Sequence, residues 1–345
     1  MMNELFSSLD HFRQQFHQGL FTLLDRPQLA TFILCLANAS NDEHLFSRMK
    51  PALQAQYQWL FQQFKEGLAC GRQLDAVEED LLVFLKLHVL GFDNIQLTQQ
   101  RQVSEWLCQF NQLRSFRPPR MSKFEHQGEI STPYTGAHFN FNKPFMAREC
   151  FRSGDYLGRR LDLFYNKYPF ADLHALLVPD RAACMAQFLL REMHQYIWQV
   201  SEQLAHTIEN VGIGYNSYGA YASVNHLHFQ MFVQPQGLPI SHAVWQHNGG
   251  EKIYPLSVVK CSDAEDAWQV IAQLHAEKQP YNLLYMPGAI YIMPRKLQGS
   301  VEVPEWSSGF SWYELSGAML SANRQDYKAL KADDINHLIH ILSVV

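Results

Sequence analysis

Nine residues, Asn225-His-Leu-His-Phe-Gln-Met-Phe-Val233, constrain the fold of this 345-residue chain more than any other stretch. Successive side chains of a β-strand point to opposite faces, so His226, His228 and Gln230 share one face while Leu227, Phe229 and Met231 turn into a core. Three aligned polar groups on a buried strand are costly unless they bind something. The alternation therefore predicts a strand whose one face is core and whose other face is a site.

Strand-like segments surround this row. His138–Asn142, Leu161–Asn166, Leu173–Val178, Val211–Asn216 and His226–Gln234 read as strands, and a long helix is predicted over 182–205, with Met185, Phe188, Leu189, Tyr196, Ile197, Val200 and Leu204 on its apolar face. Strands before and after a single helix give an α+β domain. A weaker echo links Leu173–Arg181 to Ala289–Lys296, each a strand that stops at proline and is followed by a cation. A capping box at Ser262-Asp-Ala-Glu265 opens a helix before the second copy, and Ile335, Leu338, Ile339 and Leu342 mark a closing helix. Two related half-units, about 138–240 and 255–345, are expected.

Upstream the period changes. Leu53, Tyr57, Leu60, Phe61, Phe64 and Leu68 form one helical stripe, and Leu81, Leu82, Leu85 and Val89 form another that ends at Gly91. These stripes read first as ordinary core and second as a homodimer surface or a lid. Between Arg114 and Lys123, four cations and Pro118-Pro119 predict extended chain. This is the expected boundary between an all-helical region, 1–120, and a catalytic domain, 121–345. A solvated linker is the plain reading; the sharper one brings Arg117, Arg120 or Lys123 near a bound phosphate.

With 28 Lys+Arg against 33 Asp+Glu, the chain is acidic overall, which argues against nucleic acid as a partner. Six cysteines, at 35, 70, 108, 150, 184 and 261, include no Cys-x-x-Cys pair, so neither a disulfide framework nor a zinc cluster is expected. No leader-like start and no apolar run of membrane-spanning length is visible, so the expected location is cytoplasmic, without a membrane partner.

Several chemistries could use the polar row. Two histidines two apart on a strand can bind metal, but Phe229–Gln236 contain no carboxylate, and distant ligands such as His174 would be needed. Gly214-Tyr-Asn-Ser217-Tyr-Gly219 lacks the Gly-x-Ser-x-Gly spacing of a serine hydrolase, and no P-loop, Rossmann glycine pattern or His-Glu-x-x-His is present. A neutral imidazole, in contrast, is a competent nucleophile toward activated phosphorus at physiological pH.

The row His226-Leu-His-Phe-Gln230 resembles the histidine triad (HIT) superfamily, in the branch where glutamine replaces the third histidine: galactose-1-phosphate uridylyltransferases, diadenosine tetraphosphate phosphorylases and GDP-hexose (GDP-L-galactose type) phosphorylases. Leu163–Pro179 is similar to the HIT segment in which an acidic or amide residue binds ribose and a histidine follows. Tyr215–Gln230, Phe139-Asn-Phe-Asn-Lys143 and Trp312–Met319 resemble the GDP-hexose phosphorylases. The likeness runs over roughly 115–345, and the first 113 residues match no known part of the family. The missing Cys-x-x-Cys departs from the zinc-holding uridylyltransferases.

The resemblance implies a HIT-like (GalT-like) antiparallel sheet with helices. It implies that His228 attacks the α-phosphorus of a nucleotide sugar or dinucleotide, with His226 and Gln230 beside it, Asn166 on the ribose and His174 near the nucleotide. Backbone amides of Gly214–Ser223, with Asn216, Ser217 and Ser223, are candidate oxyanion donors, and Lys143 and Arg148 candidate phosphate cations. The acceptor would be phosphate or a sugar phosphate. No cofactor is expected beyond a divalent cation carried by the substrate. A HIT-type hydrolase, a nucleotide sensor without turnover and a metalloprotein remain alternatives.

Overall fold

The computed structural model describes residues 4–25, 27–117, 129–307 and 309–344. Four helices come first: α1 (Leu9–Leu24), α2 (Leu29–Ala39), α3 (Glu43–Ala69) and α4 (Glu78–Leu90). Ser8 and Asp42 start α1 and α3 by accepting from His11 N–H and Leu45 N–H. Gly91, at φ 84°, stops α4, a backbone angle that glycine adopts without a Cβ penalty. Leu53 and Leu60 face the core as expected, whereas the α4 stripe is reversed. Val83, Phe84 and Leu87 are buried there and Leu82, Leu85 and Val89 are exposed. Residues 81–90 are apolar on nearly every side, so spacing alone cannot choose the inward face.

Helix does not continue to residue 120. A hairpin of β1 (Gln99–Val103) and β2 (Trp106–Phe110) follows, and β11 (Ala318–Ser321) adds to β2 in parallel, with Ala318 opposite Leu107. Strand pairing with a distant segment has no local period, which is why the helical reading overran. Arg120, Lys123 and the Pro118-Pro119 pair lie outside the described residues.

The main sheet has eight antiparallel strands, formed by β3 (Cys150–Tyr156), β4 (Arg159–Tyr165), β5 (Asp172–Pro179), β6 (Val211–Asn216), β7 (Phe229–Val233), β8 (Val259–Cys261), β9 (Tyr281–Met286) and β10 (Ala289–Pro294). Their spatial order is β3-β4-β5-β7-β6-β9-β10-β8. With α5 (Arg191–Ala205) and α6 (Ala264–Ala276), the run β5-α5-β6-β7 is matched by β8-α6-β9-β10, the two meeting where β6 pairs with β9. By topology, β10 answers to β7 and β8 to β5, so the echo of Leu173–Arg181 in Ala289–Lys296 joins strands that are not equivalent.

Three local expectations are corrected. His138–Asn142 is a loop, because Asn140 turns its side chain onto its own backbone neighbours, Nδ2 to the His138 carbonyl and Oδ1 to Asn142 N–H. The helix over 182–205 begins only at Arg191, since Cys184 adopts φ 54° and breaks it. Helix α6 is capped by Asp263, which accepts from Glu265 and Asp266 N–H, one residue later than the predicted box. A short helix α8 (Arg324–Ala329) precedes the closing helix, α9 (Ala332–His340).

Alternation along the strands sorts the two faces. Leu161, Leu163, Tyr165, Ala175, Leu177, Ile213, Phe229 and Met231 join α5, α6 and the N-terminal helices in one core. On the other face Phe232, Leu284, Tyr291 and Met293 pack with the β1-β2-β11 sheet, α9 and the short helix α7 (Trp312–Leu315). A small cluster of Phe141, Met146, Phe164 and Val178 lies apart from it on the same face. Gln230 and His174 come from strands that run between these two patches.

Gly214 of β6 lies flat against the Trp312 indole, and a β-carbon there would overlap the ring. Gly214→Ala is expected to destabilise the protein by about 1–3 kcal/mol through overpacking, read as a lowered midpoint in urea denaturation with an unchanged slope.

Candidate active site

The histidines stand just before β7, in an extended segment whose backbone needs partners other than a neighbouring strand. Gln187 supplies them. Its Oε1 accepts from His228 N–H at 2.9 Å, and its Nε2 donates to the His228 carbonyl at 3.2 Å and the Asn216 carbonyl at 2.9 Å. Leu227 N–H donates to the Met185 carbonyl, and Asn225 Oδ1 accepts from Gln187 N–H. The segment 185–187 thus does the work of a strand along 225–228.

His228 Nδ1 lies 2.8 Å from the His226 carbonyl oxygen. A carbonyl can only accept, so Nδ1 carries the proton and the Nε2 lone pair is free. Burial lowers the His228 pKa to about 4, the hydrogen bond to His226 working against the shift. The imidazole is therefore neutral at physiological pH. The Phe141 ring covers it with centroids 5.3 Å apart.

His226 is engaged at both nitrogens. Phe141 N–H donates to Nδ1 at 3.2 Å, which leaves the proton on Nε2 to bond the Arg181 carbonyl at 3.1 Å. Burial also lowers its pKa to about 4. With neither nitrogen spare, His226 acts by holding its own carbonyl against His228. Arg181 is fixed in turn by Asp162 Oδ2 at 2.8 Å and by the Phe141 carbonyl at 2.9 Å.

Gln230 is oriented from beneath. Phe170 N–H donates to His174 Nδ1 at 3.3 Å, so the proton sits on His174 Nε2, which lies 3.1 Å from Gln230 Oε1. The Gln230 amide N–H₂ is then turned away from His174 and is available to an anion. Burial, reinforced by the Arg114 guanidinium, pushes the His174 pKa down to about 3. His174 is fully buried and acts on Gln230 rather than lining open space. Asn166 Nδ2 approaches the same ring nitrogen at 3.2 Å and finds no lone pair there, while Asn166 Oδ1 accepts from Tyr168 N–H.

The remaining predicted residues divide. Asn216 Oδ1 accepts from Trp312 N–H at 3.0 Å and from Asn282 Nδ2 at 2.6 Å, so its oxygen ties β6 to α7 and β9. Ser217 Oγ accepts from Tyr281 N–H and donates to the Tyr218 carbonyl, a structural role. Ser223 is half-buried in the loop leading to the row, with no side-chain hydrogen bond among the described residues. Lys143 Nζ bonds the Gly136 carbonyl at 2.8 Å, and Arg148 reaches Gln28 Oε1 at 2.7 Å, away from the row.

Sequence reasoning missed Gln187, Phe141, Arg181 and Arg114. Gln187 was assigned to a helix, where its amide would face solvent, and nothing in its neighbours marks it as a backbone clamp. Arg114 opens the cationic run and is buried: its guanidinium sits 4.7 Å over the Phe170 ring, which in turn packs edge-on to His174. Among the described residues no group of three or more His, Cys, Asp or Glu is placed to hold a metal ion, and no helix is long and apolar enough to cross a membrane.

The depressed histidine pKa values make stability pH-dependent. His174, His226 and His228 stay neutral when folded but bind protons near pH 6.5 when unfolded. The stability they carry is therefore complete above pH 6.5 and is lost as pH falls toward 4 and 3. The expected loss is about 1 kcal/mol per histidine per pH unit. Glu149, whose carboxyl burial lifts to about 7, works in the opposite sense between 7 and its unfolded value. Urea midpoints of the Glu149→Gln variant at pH 7, 6 and 5 should fall steadily; a flat profile would contradict the buried neutral histidines.

Residues 101–232, which include the histidine row, match the family described as GDPGP1-like, N-terminal domain. GDP-L-galactose phosphorylase 2 of Arabidopsis thaliana is 27% identical over 206 residues, 52% of this chain and 47% of the relative. GDP-L-galactose phosphorylase 1 of the same plant is 26% identical over 201 residues, 50% of this chain and 45% of its own length. The chain spans about half the length of these curated relatives. The crystal structure of yeast Ap4A phosphorylase Apa2 superposes with a TM-score of 0.51 at 14% identity, covering 79% of this chain and 96% of that one, which shows a shared fold. The histidine row lies inside the matched segment, so it is over this part that the chain is similar to the GDPGP1-like family and to the GDP-L-galactose phosphorylases.

Proposed function

We propose that the protein is a nucleotidyltransferase of the phosphorylase type, acting on a nucleoside diphosphate sugar or a dinucleoside polyphosphate through a nucleotidyl-His228 intermediate. The observation that carries this reading is the 2.8 Å hydrogen bond from His228 Nδ1 to the His226 carbonyl, which leaves Nε2 as an unprotonated, buried nucleophile. The GDP-L-galactose phosphorylase relatives and the Ap4A phosphorylase fold support the substrate class.

In the first half-reaction the Nε2 lone pair bonds the α-phosphorus and the P–O bond to the leaving phosphate breaks. That phosphate departs as an anion and needs no proton. In the second, an oxygen of inorganic phosphate or of a sugar phosphate attacks the same phosphorus, the P–N bond breaks, and the lone pair returns to His228. Gln230 Nε2 is the donor placed to bind a non-bridging oxygen as charge builds up on it. Phe139 and Phe145 flank Phe141 with centroids about 6 Å away or one ring further and are 47% and 55% exposed, an aromatic surface suited to a nucleobase.

Quenched mixtures with GDP-hexoses and Ap4A should show, by mass spectrometry, a nucleotidyl group on His228. His228→Ala should lose at least about 10³-fold in turnover with an unchanged fold, because the covalent route is gone. A nucleotidyl group on another residue, or normal turnover in the variant, would refute the assignment.

The amide at position 230 cannot carry a proton near neutrality, whereas water must lose one as it attacks. An acceptor that is already anionic should therefore be preferred. Added phosphate is expected to raise nucleotide release well above the buffer-only rate, and Gln230→His should narrow that difference. Equal rates with and without every acceptor would favour hydrolysis.

A further inference from the structure

A cavity of about 670 Å³ lies between the α2–α3 turn, the β1–β2 hairpin and the adjoining ends of β5 and β7, at the end of β7 away from the histidines. Its size is in the range of small-molecule sites. Phe170, whose ring packs against His174, supplies one wall, so this space and the His174 ring share a partition.

The cavity's chemistry is opposite to that of a phosphate site. Asp42, Glu43 and Asp172 line it, and no Lys or Arg is among its described lining residues. Arg13 approaches Asp172 at 3.4 Å and His17 lies 4.0 Å from Asp42, each on the side chain's outer flank rather than on the cavity wall. An anion entering this space would meet carboxylates. A polar ligand without charge would meet planar carboxylate and amide groups, the fork-like donors and acceptors that match pairs of neighbouring hydroxyls.

Two glutamines point to such a ligand independently of the acids. Gln109 is 1% and Gln234 3% exposed, and both line the cavity. The Gln109 Oε1 is used twice, by Tyr313 Oη–H at 2.9 Å and Gln100 Nε2 at 3.2 Å, while its Nε2 is buried with no partner. The Gln234 side chain has no hydrogen-bond partner among the described residues. The unpaired Gln109 Nε2 costs about 1–3 kcal/mol, and the Gln234 amide, nine-tenths buried and without a protein partner, lines the same cavity.

We propose that this cavity is a second binding site, for an uncharged polyhydroxylated ring of the hexose or cyclitol class, with Gln109 and Gln234 bonding hydroxyls and Phe170 facing the ring's C–H surface. It is independent of the nucleotidyl-transfer reading and separate from His228.

Ligand-detected NMR and calorimetry on the full chain, with D-mannose, D-galactose, D-glucose and myo-inositol as probes, test it. At least one probe should bind, and inorganic phosphate should not displace it. Gln234→Leu should weaken binding at least about tenfold. That variant should melt no lower than the parent, because the Gln234 amide has no protein partner to lose; Gln109→Leu should also weaken binding but melt lower, because it strands the Tyr313 hydroxyl. His228→Ala should bind the probe unchanged. No binding by any probe, meaning the amides hold water only, would overturn the proposal. So would displacement by phosphate, equal binding in both leucine variants, or loss of binding in His228→Ala, which would put the probe in the nucleotidyl site.

Discussion

One hydrogen bond, from His228 Nδ1 to the carbonyl two residues earlier, decides which imidazole nitrogen is free to react. It holds only if the backbone at 226 cannot turn, and most polar contacts around the row serve that end. Phe141 N–H and the Arg181 carbonyl grip the His226 ring from its two nitrogens. Gln187 grips the peptide groups of His228 on both sides. A buried imidazole that is neutral at physiological pH follows from the burial these clamps require.

The same logic runs through the other polar residues of that sheet face. His174 is spent on aiming Gln230, and the Asn216 side-chain oxygen is spent on joining β6, β9 and α7. Each buried polar atom that a neighbour has already satisfied is unavailable to a ligand, so the groups left open are few: His228 Nε2, the Gln230 and Asn216 amide N–H₂ groups and Asn166 Nδ2. Counting partners separates them from the structural majority more sharply than residue type does.

Much of this could be read from the sequence where the signal is periodic. The alternation of 225–233 gave the correct face for His228 and Gln230, although the strand itself starts only at Phe229, and β4, β5 and β6 were found nearly to the residue. The sequence was silent where partners are distant. The hairpin at 99–110 depends on a strand at 318–321, and the extended stretch before α5 depends on 225–228. In both cases the local pattern favoured helix and a remote partner overrode it. The role expected of Ser217 met a different difficulty: a hydroxyl close to a polar row looks the same in sequence whether it faces a ligand or the scaffold.

The parallel pairing of β11 with β2 joins positions roughly 210 residues apart, and the Trp312 indole that stacks on Phe232 and covers Gly214 comes from the same late stretch of chain. Closing so large a loop costs entropy that only the completed interface returns. During synthesis the histidine row, β6 and β7 emerge well before the segment that roofs them. Until that segment arrives, the face that carries Gly214 and Phe232 is an uncovered apolar surface exposed to other nascent chains, so the time between those two events sets the molecule's window of vulnerability to misassembly.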